Sequence, residues 1–182
     1  MIIRLTTLLC LLALPSLADA EALFPQSSRV DDRLFEKVGE KRYYYKRFFK
    51  VYDAALYTEP KVDASDVLAA EYSFQLQFNY LRDIDKKIAI DAAGQALQRS
   101  LSPEQLASIS DRIAQINDAY RSVSKGDTTF LLYEPEIGTS YYFNGEKITT
   151  VPGKDFASLY FRVWLGDQPL SERLRDALLG QS

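Results

Sequence analysis

A stretch of nine residues, 72–80, alternates without a break between apolar and polar side chains. Because side chains of a β-strand point alternately to its two faces, this pattern predicts a strand with one buried face in an antiparallel sheet. The chain must then provide neighbouring strands and a layer that covers the apolar face. The apolar members are Tyr72, Phe74, Leu76, Phe78 and Tyr80, and the polar members are Ser73, Gln75, Gln77 and Asn79.

Further strands are predicted from composition and from turn residues. Residues 42–57 are rich in aromatic, β-branched and small residues and lack glycine and proline, which predicts two strands or one long bent strand ending at Glu59-Pro60. Apolar groups fall on both parities there, so both faces are expected to be covered. Asn144-Gly145 is predicted to be a hairpin turn because both residues tolerate positive φ. The later strands are expected at residues 128–133, 139–143 and 147–151.

Helices are predicted in two pairs. The first helix covers residues 85–99, and the second begins with Ser102 as N-cap and Gln105 completing a capping box. Two more helices follow Gly153. The order of strands, helix pair, strand meander and helix pair predicts the α+β class, a large antiparallel sheet with helices layered on one face. The second helix carries a core-facing stripe spaced by three and four residues, which is Leu106, Ile109, Ile113, Ile116 and Tyr120.

Composition removes several function classes. The chain has no histidine, which excludes Ser-His-Asp and Cys-His nucleophilic catalysis and the common zinc sites, so we expect no metal and no cofactor. A net charge of −3 provides no electrostatic footprint for nucleic acid. The 12 tyrosines and 10 phenylalanines are enough either to build a core or to line a cleft for an apolar ligand.

The first 20 residues have the features of a cleavable export signal. Arg4 precedes a short apolar run at residues 5–14, and Ala18-Asp19-Ala20 is the small-x-small pattern that a signal peptidase recognises. The run is about half of the ~20 residues that a spanning helix needs. We therefore expect cleavage after Ala20, no transmembrane anchor in the mature chain and a periplasmic location. Residues 21–37 are expected to form a loosely tied lead-in to one domain at 38–180.

Several short segments carry a resemblance to a known family. As an ordered set they resemble the chalcone isomerase-like family, in its bacterial exported branch, over residues 38–180. The resemblance implies an open-faced β-sandwich, in which a helical layer covers a large antiparallel sheet and a cleft lies between them. The segments are FFKVYDAALY at 48–57, YLRDI at 80–84, KGD at 125–127, Asn144-Gly145 and VWLG at 163–166.

The resemblance also implies where a site would lie. Chalcone isomerases use an Arg that attracts the substrate phenolate, a Thr and a Tyr that hold a water at the ketone, and an Asn and a Thr that bind the far ring. Arg42 matches the Arg, and the other four positions fall on Tyr52, Ile84, Asp91 and Val163. Aliphatic side chains cannot polarise a ketone, and a carboxylate repels a phenolate. Chalcone cyclisation is therefore not expected.

Arg42 and Tyr52 are the candidate ligand-binding residues, and the candidate catalytic residues if the protein is an enzyme. A guanidinium beside an apolar cleft requires an anionic partner, since an unpaired buried charge is costly. Its planar fork fits a carboxylate in two-point contact. Tyr52 is placed to donate a hydrogen bond from its hydroxyl to the same anion. The alternatives are that Arg42 is a solvated strand residue and that Tyr52 belongs to the core.

Three functions remain open from the sequence. The first is a non-catalytic protein that binds a fatty acid or a similar apolar carboxylate, or another hydrophobic ligand, in the sheet–helix cleft. The second is an isomerase or intramolecular lyase that acts on another enone or aromatic acid. The third is a periplasmic interaction module whose cleft is filled by its own side chains. An open cleft at which Arg42 and Tyr52 converge favours the first two, and a filled cleft favours the third; the oligomeric state is open.

Overall fold

Within residues 22–181, which this computed structural model describes, seven strands form one sheet in sequence order. All neighbouring strands are antiparallel, which confirms the expected α+β class. The strands are β1 (Ser27–Val30), β2 (Arg33–Tyr45), β3 (Phe49–Thr58), β4 (Phe74–Tyr80), β5 (Thr128–Glu134), β6 (Gly138–Phe143) and β7 (Glu146–Val151). The helices are α1 (Lys86–Ser100), α2 (Pro103–Ser108), α3 (Ser110–Ala119), α4 (Lys154–Tyr160), α5 (Arg162–Leu165) and α6 (Glu172–Leu178), with a 3₁₀ helix at Ala64–Ala69.

Strand β3 is covered on both faces, as its apolar residues on both parities predict. Ala54 and Leu56 pack in the main core between the sheet and the helices. Ala55 and Tyr57 pack in a smaller apolar cluster on the other face. A turn separates β3 from β2, so the segment 42–57 is two strands rather than one bent strand.

The residues expected to form a loose lead-in, 21–37, are instead part of the sheet from Ser27 onward. The β1–β2 hairpin extends past the end of β3 and folds over the second face of the sheet, where Ser28 Oγ lies 3.1 Å from Gln75 Oε1 as its hydrogen-bond donor. Phe24 and Phe35 are buried in the apolar cluster on this face. Two phenylalanines anchor this segment although it has few other apolar residues, and its Ser28 contacts Gln75 and Gln77 on the polar face of β4.

The helix ends follow from local side-chain chemistry. The Asp85 carboxylate accepts the Lys87 N–H and caps α1, and Ser102 and Gln105 form the expected capping box at α2. The single helix expected after Ser102 is two, because α2 ends and α3 begins at Ile109. Ile109 remains fully buried, so the apolar stripe continues across the break.

The helical layer covers one face of the sheet. Helix α6 packs on β2, α3 packs on β7, and α4 packs on β6. Within residues 22–181, no helix combines the length and the apolar character needed to cross a bilayer. The export signal expected at residues 1–20 lies outside the described residues.

Candidate functional site

Arg42 is held by a carboxylate of the chain itself. It lies in β2 directly opposite Asp53 of β3, so the two side chains project from the same face of the sheet. Arg42 Nε and Nη2 donate to the two Asp53 carboxylate oxygens at 2.7 and 2.9 Å. The Asp53 side chain is 8% exposed and that of Arg42 is 31% exposed. Hydrogen bonding to Asp53 raises the pKa of Arg42 further above its usual value, so the guanidinium stays charged.

Tyr52 projects from the opposite face of the sheet. It precedes Asp53 in β3, and successive side chains of a strand alternate between faces. Its ring stacks on Tyr43 at 5.0 Å and meets the edge of Phe78 at 5.1 Å between centroids. The hydroxyl is buried without a hydrogen-bond partner among residues 22–181, and burial raises its pKa well above the usual value. The structure therefore does not bring Tyr52 and Arg42 together.

The space between the sheet and the helices is packed with aromatic side chains. Trp164 of α5 contacts Phe78 and Tyr160, with ring centroids 5.4 and 5.9 Å apart. Tyr120 and Tyr160 share a hydrogen bond of 2.6 Å between their hydroxyls. Trp164 is a core residue, as expected, and the interior expected to hold a ligand is occupied by side chains of this chain.

An open groove of about 620 Å³ lies instead where the end of β2 meets the start of α6. Arg42 is part of its wall, although its side chain projects with that of Asp53 from the face opposite Tyr43 and Tyr52. Its other walls are Lys41, Tyr43, Tyr44 and Arg47 on the β2 side, and Ser171, Arg173 and Leu174 on the α6 side. The groove combines cationic residues with two tyrosines, and the buried Leu174 lies at its base.

Comparison with known proteins decides the family. The chalcone isomerase-like family model matches residues 38–180. The chain belongs to this family. A crystal structure of an Arabidopsis thaliana fatty-acid binding protein is similar in fold, with a TM-score of 0.62 at 14% identity, over 86% of this chain and 91% of that one. No curated protein matches the chain in sequence.

The positions aligned with the chalcone isomerase site are structural in this family member. Ile84 forms a β-bridge with Val123 just before α1. Asp91 lies on the exposed side of α1, where its carboxylate accepts from Lys87 Nζ at 2.7 Å. Val163 is fully buried in the core. Solvation and packing account for these three side chains.

The groove of this chalcone isomerase-like chain is strongly cationic. Arg42 is itself neutralised by Asp53, which accepts from its Nε and Nη2. Lys41, Arg47 and Arg173 form no ion pair within residues 22–181. The groove wall contains no carboxylate there either. Such a surface attracts an anion and leaves Tyr43 and Tyr44 for its apolar part.

A second cavity, of about 320 Å³, lies at the opposite end of the sheet and has the opposite charge. Arg33 crosses it to pair with Glu134 and donates to Ser73 Oγ at 3.0 Å. Its other acidic wall residues are Glu59, Glu71 and Glu136. No group of three or more acidic or cysteine side chains is placed to hold a metal ion in the part of the chain that the structure describes.

Sequence reasoning identified Arg42 but missed most of the groove. The basic run at residues 41–47 carries a signal, because KRYYYKR contains only cationic and aromatic residues. Arg173 and Leu174 carry no comparable signal, since they lie in an ordinary amphipathic helix whose position only the packing of α6 on β2 decides.

Proposed function

We propose that this protein is an exported, non-catalytic member of the family that binds an apolar carboxylate in the groove between β2 and α6. The observation that carries the proposal is the groove itself, which brings Lys41, Arg47 and Arg173 together with Tyr43 and Tyr44. Lys41, Arg47 and Arg173 take the anchoring role first expected for Arg42, whose side chain pairs with Asp53, and Tyr43 and Tyr44 take the place of Tyr52. The proposed ligand site is this groove, at the open edge of the junction between the sheet and the helices.

The chemistry of the groove fits a fatty acid or a similar amphiphilic anion. The carboxylate accepts from Lys41, Arg47 and Arg173 of the groove wall. The tail lies along Tyr43 and Tyr44. A volume of about 620 Å³ is within the range of small-molecule sites. The similarity in fold to a fatty-acid binding protein supports the same ligand class.

Binding should depend on Arg173 and on the length of the ligand tail. We expect Arg173→Gln to weaken binding of a saturated fatty acid about tenfold, because charge-assisted hydrogen bonds contribute on the order of 1.5–3 kcal/mol. Affinity should rise with tail length until the groove is full, at about 0.8 kcal/mol for each fully buried methylene. Calorimetric titration of wild type and variant across a fatty-acid series measures both effects.

Arg99→Gln is the matched control for this titration. Arg99 is also an exposed helical arginine, in the last turn of α1, and it is not part of the groove wall. It should bind like wild type. If no chain length binds, or if Arg173→Gln binds as tightly as Arg99→Gln, the carboxylate proposal fails.

Export to the periplasm, as expected for the bacterial exported branch, is the second part of the proposal. Its support is the Ala18-Asp19-Ala20 site after the apolar run at residues 5–14. The mature protein is expected to begin at Glu21. N-terminal sequencing of protein recovered from a periplasmic extract tests this; a chain found only in the cytosolic fraction and beginning at Met1 would contradict it.

One observation favours a second candidate, the periplasmic interaction module. The packed interior around Trp164, Tyr160 and Phe78 is the filled cleft that this function predicts. The isomerase alternative instead needs a proton donor beside the anchored anion, and Tyr52 projects from the other face of the sheet from Arg42. If the fatty-acid series does not bind, the interaction module becomes the leading function.

A further inference from the structure

The turn between β2 and β3 exposes an unusual concentration of aromatic and cationic side chains. We call residues 44–50, with sequence YYKRFFK, the hairpin tip. Within residues 22–181, eight large hydrophobic side chains are exposed, and four belong to the tip: Tyr44, Tyr45, Phe48 and Phe49. The remaining three tip residues are Lys46, Arg47 and Lys50, all exposed. The tip has no acidic residue, although the whole chain has a net charge of −3.

The backbone of the tip projects Phe48 into solvent. Lys46 and Arg47 have φ values of 48° and 66°, in the left-handed region that few non-glycine residues adopt. This conformation closes the turn through a hydrogen bond from Phe48 N–H to Tyr45 O at 3.3 Å. The Phe48 side chain is 83% exposed, the highest value among the exposed large hydrophobics of the described residues. A phenylalanine with this degree of exposure indicates a surface that contacts a partner in the functional state of the protein.

The combination of positive charge and aromatic rings extends beyond the tip. Arg82, at the start of the loop after β4, lies 5.8 Å from the Phe49 ring centroid. Lys46 Nζ lies 5.4 Å from the ring centroid of Tyr45. The opposite end of the sheet carries the acidic cavity described above. Charge is thus distributed unequally along the strands: one end of the sheet is cationic and aromatic, and the other end is acidic.

We propose that the hairpin tip docks the protein on an anionic lipid bilayer. Aromatic side chains favour the level of the lipid headgroups, and cations nearby are attracted to anionic lipids. A tip in which each aromatic residue is within a few residues of a cation satisfies both interactions at once. The acidic far end is repelled by the same surface, which orients the strands toward the bilayer and brings the adjoining groove next to the headgroups.

Vesicle binding tests this proposal. Wild type should co-sediment with vesicles of equal parts phosphatidylglycerol and phosphatidylcholine, and much less with phosphatidylcholine alone. We expect Lys46→Asn/Lys50→Gln to weaken binding roughly thirtyfold, since each cation near an anionic surface contributes about fivefold. Phe48→Ser should weaken it about tenfold through lost apolar contact. All proteins are prepared identically, so any contribution of residues 5–14 is common to them.

The controls remove the same groups from the other end of the sheet. Lys61 has φ of 70°, so Lys61→Asn reproduces the backbone setting of Lys46→Asn, and Arg29→Gln removes a second exposed cation. Ile137→Ser matches Phe48→Ser, because Ile137 is also exposed and lies beside the acidic cavity. These variants should bind like wild type. Thermal unfolding of every variant verifies that each is folded.

Two results would overturn the docking proposal. One is wild type that fails to bind phosphatidylglycerol vesicles, which would point to an acidic protein as the partner of the tip. The other is equal binding by the tip variants and their controls. Lys46, Phe48 and Lys50 are outside the groove wall, so these variants leave fatty-acid titration unchanged. The groove proposal and the docking proposal therefore fail independently.

Discussion

Replacing Gly39 with alanine is expected to lower the free energy of unfolding by about 3 kcal/mol, the upper end of the usual cost of overpacking. Gly39 lies in β2 under α6. A Cβ atom there would collide with the carbonyl oxygen of Ala177 and would lie 2.9 Å from that of Leu178. Both atoms are helix backbone, so no side-chain rotation relieves the contact and α6 must move. The melting temperature should fall by roughly 9 °C, measured by calorimetry or circular dichroism.

Gly94→Ala is the matched control and should have the opposite sign. Gly94 is inside α1, and a Cβ there has no heavy atom within 4 Å. Alanine has the higher helix propensity, so this variant should gain about 1 kcal/mol. If Gly39→Ala unfolds at the wild-type temperature, the close packing of α6 on β2 is not as the structure has it.

The second large effect is expected at the ion pair that holds Arg42. Arg42→Met should cost about 2 kcal/mol, because it leaves the buried carboxylate of Asp53 without its bidentate partner. The value is below that of a fully buried pair because Arg42 is 31% exposed. Adding Asp53→Asn to this variant should recover at least half of the loss, since the uncompensated charge is then gone. Urea unfolding of wild type, Arg42→Met, Asp53→Asn and the double variant forms a double-mutant cycle.

Arg121→Met provides the comparison for this cycle. Arg121 and Glu146 form an exposed pair whose closest atoms are 3.9 Å apart, and its loss should change stability by about 0.5 kcal/mol or less. An equal effect of Arg42→Met and Arg121→Met would contradict the structural role assigned to Asp53.

Both effects bear on the proposed ligand site. Arg173 and Leu174 reach the groove only because α6 lies against Gly39, so the displaced helix of Gly39→Ala should also weaken fatty-acid binding. Arg42 differs, since its substitution acts on stability through the buried Asp53 carboxylate. Arg173→Gln is therefore the cleaner probe of binding.

Much of the fold was predictable because its signals are local. The alternation at 72–80 predicts β4, and the Asn144-Gly145 turn and the Ser102–Gln105 capping box recur in the structure where the sequence places them. Each depends on residues within a few positions of one another. The resemblance over residues 38–180 likewise depends on an ordered set of such segments and is confirmed by the family model.

The site was decided by tertiary structure. Whether Arg42 faces Tyr52 or Asp53 depends on the β2–β3 register, and β2 has irregularities at Lys37–Gly39 and at Tyr43–Tyr44. Each such irregularity changes which face the following side chains take. Because apolar residues fall on both parities of the segment 42–57, its sequence does not indicate this register. Arg173 joins the groove through packing between distant parts of the chain, which side-chain volumes and the absence of a Cβ at Gly39 determine, and no local pattern encodes that contact.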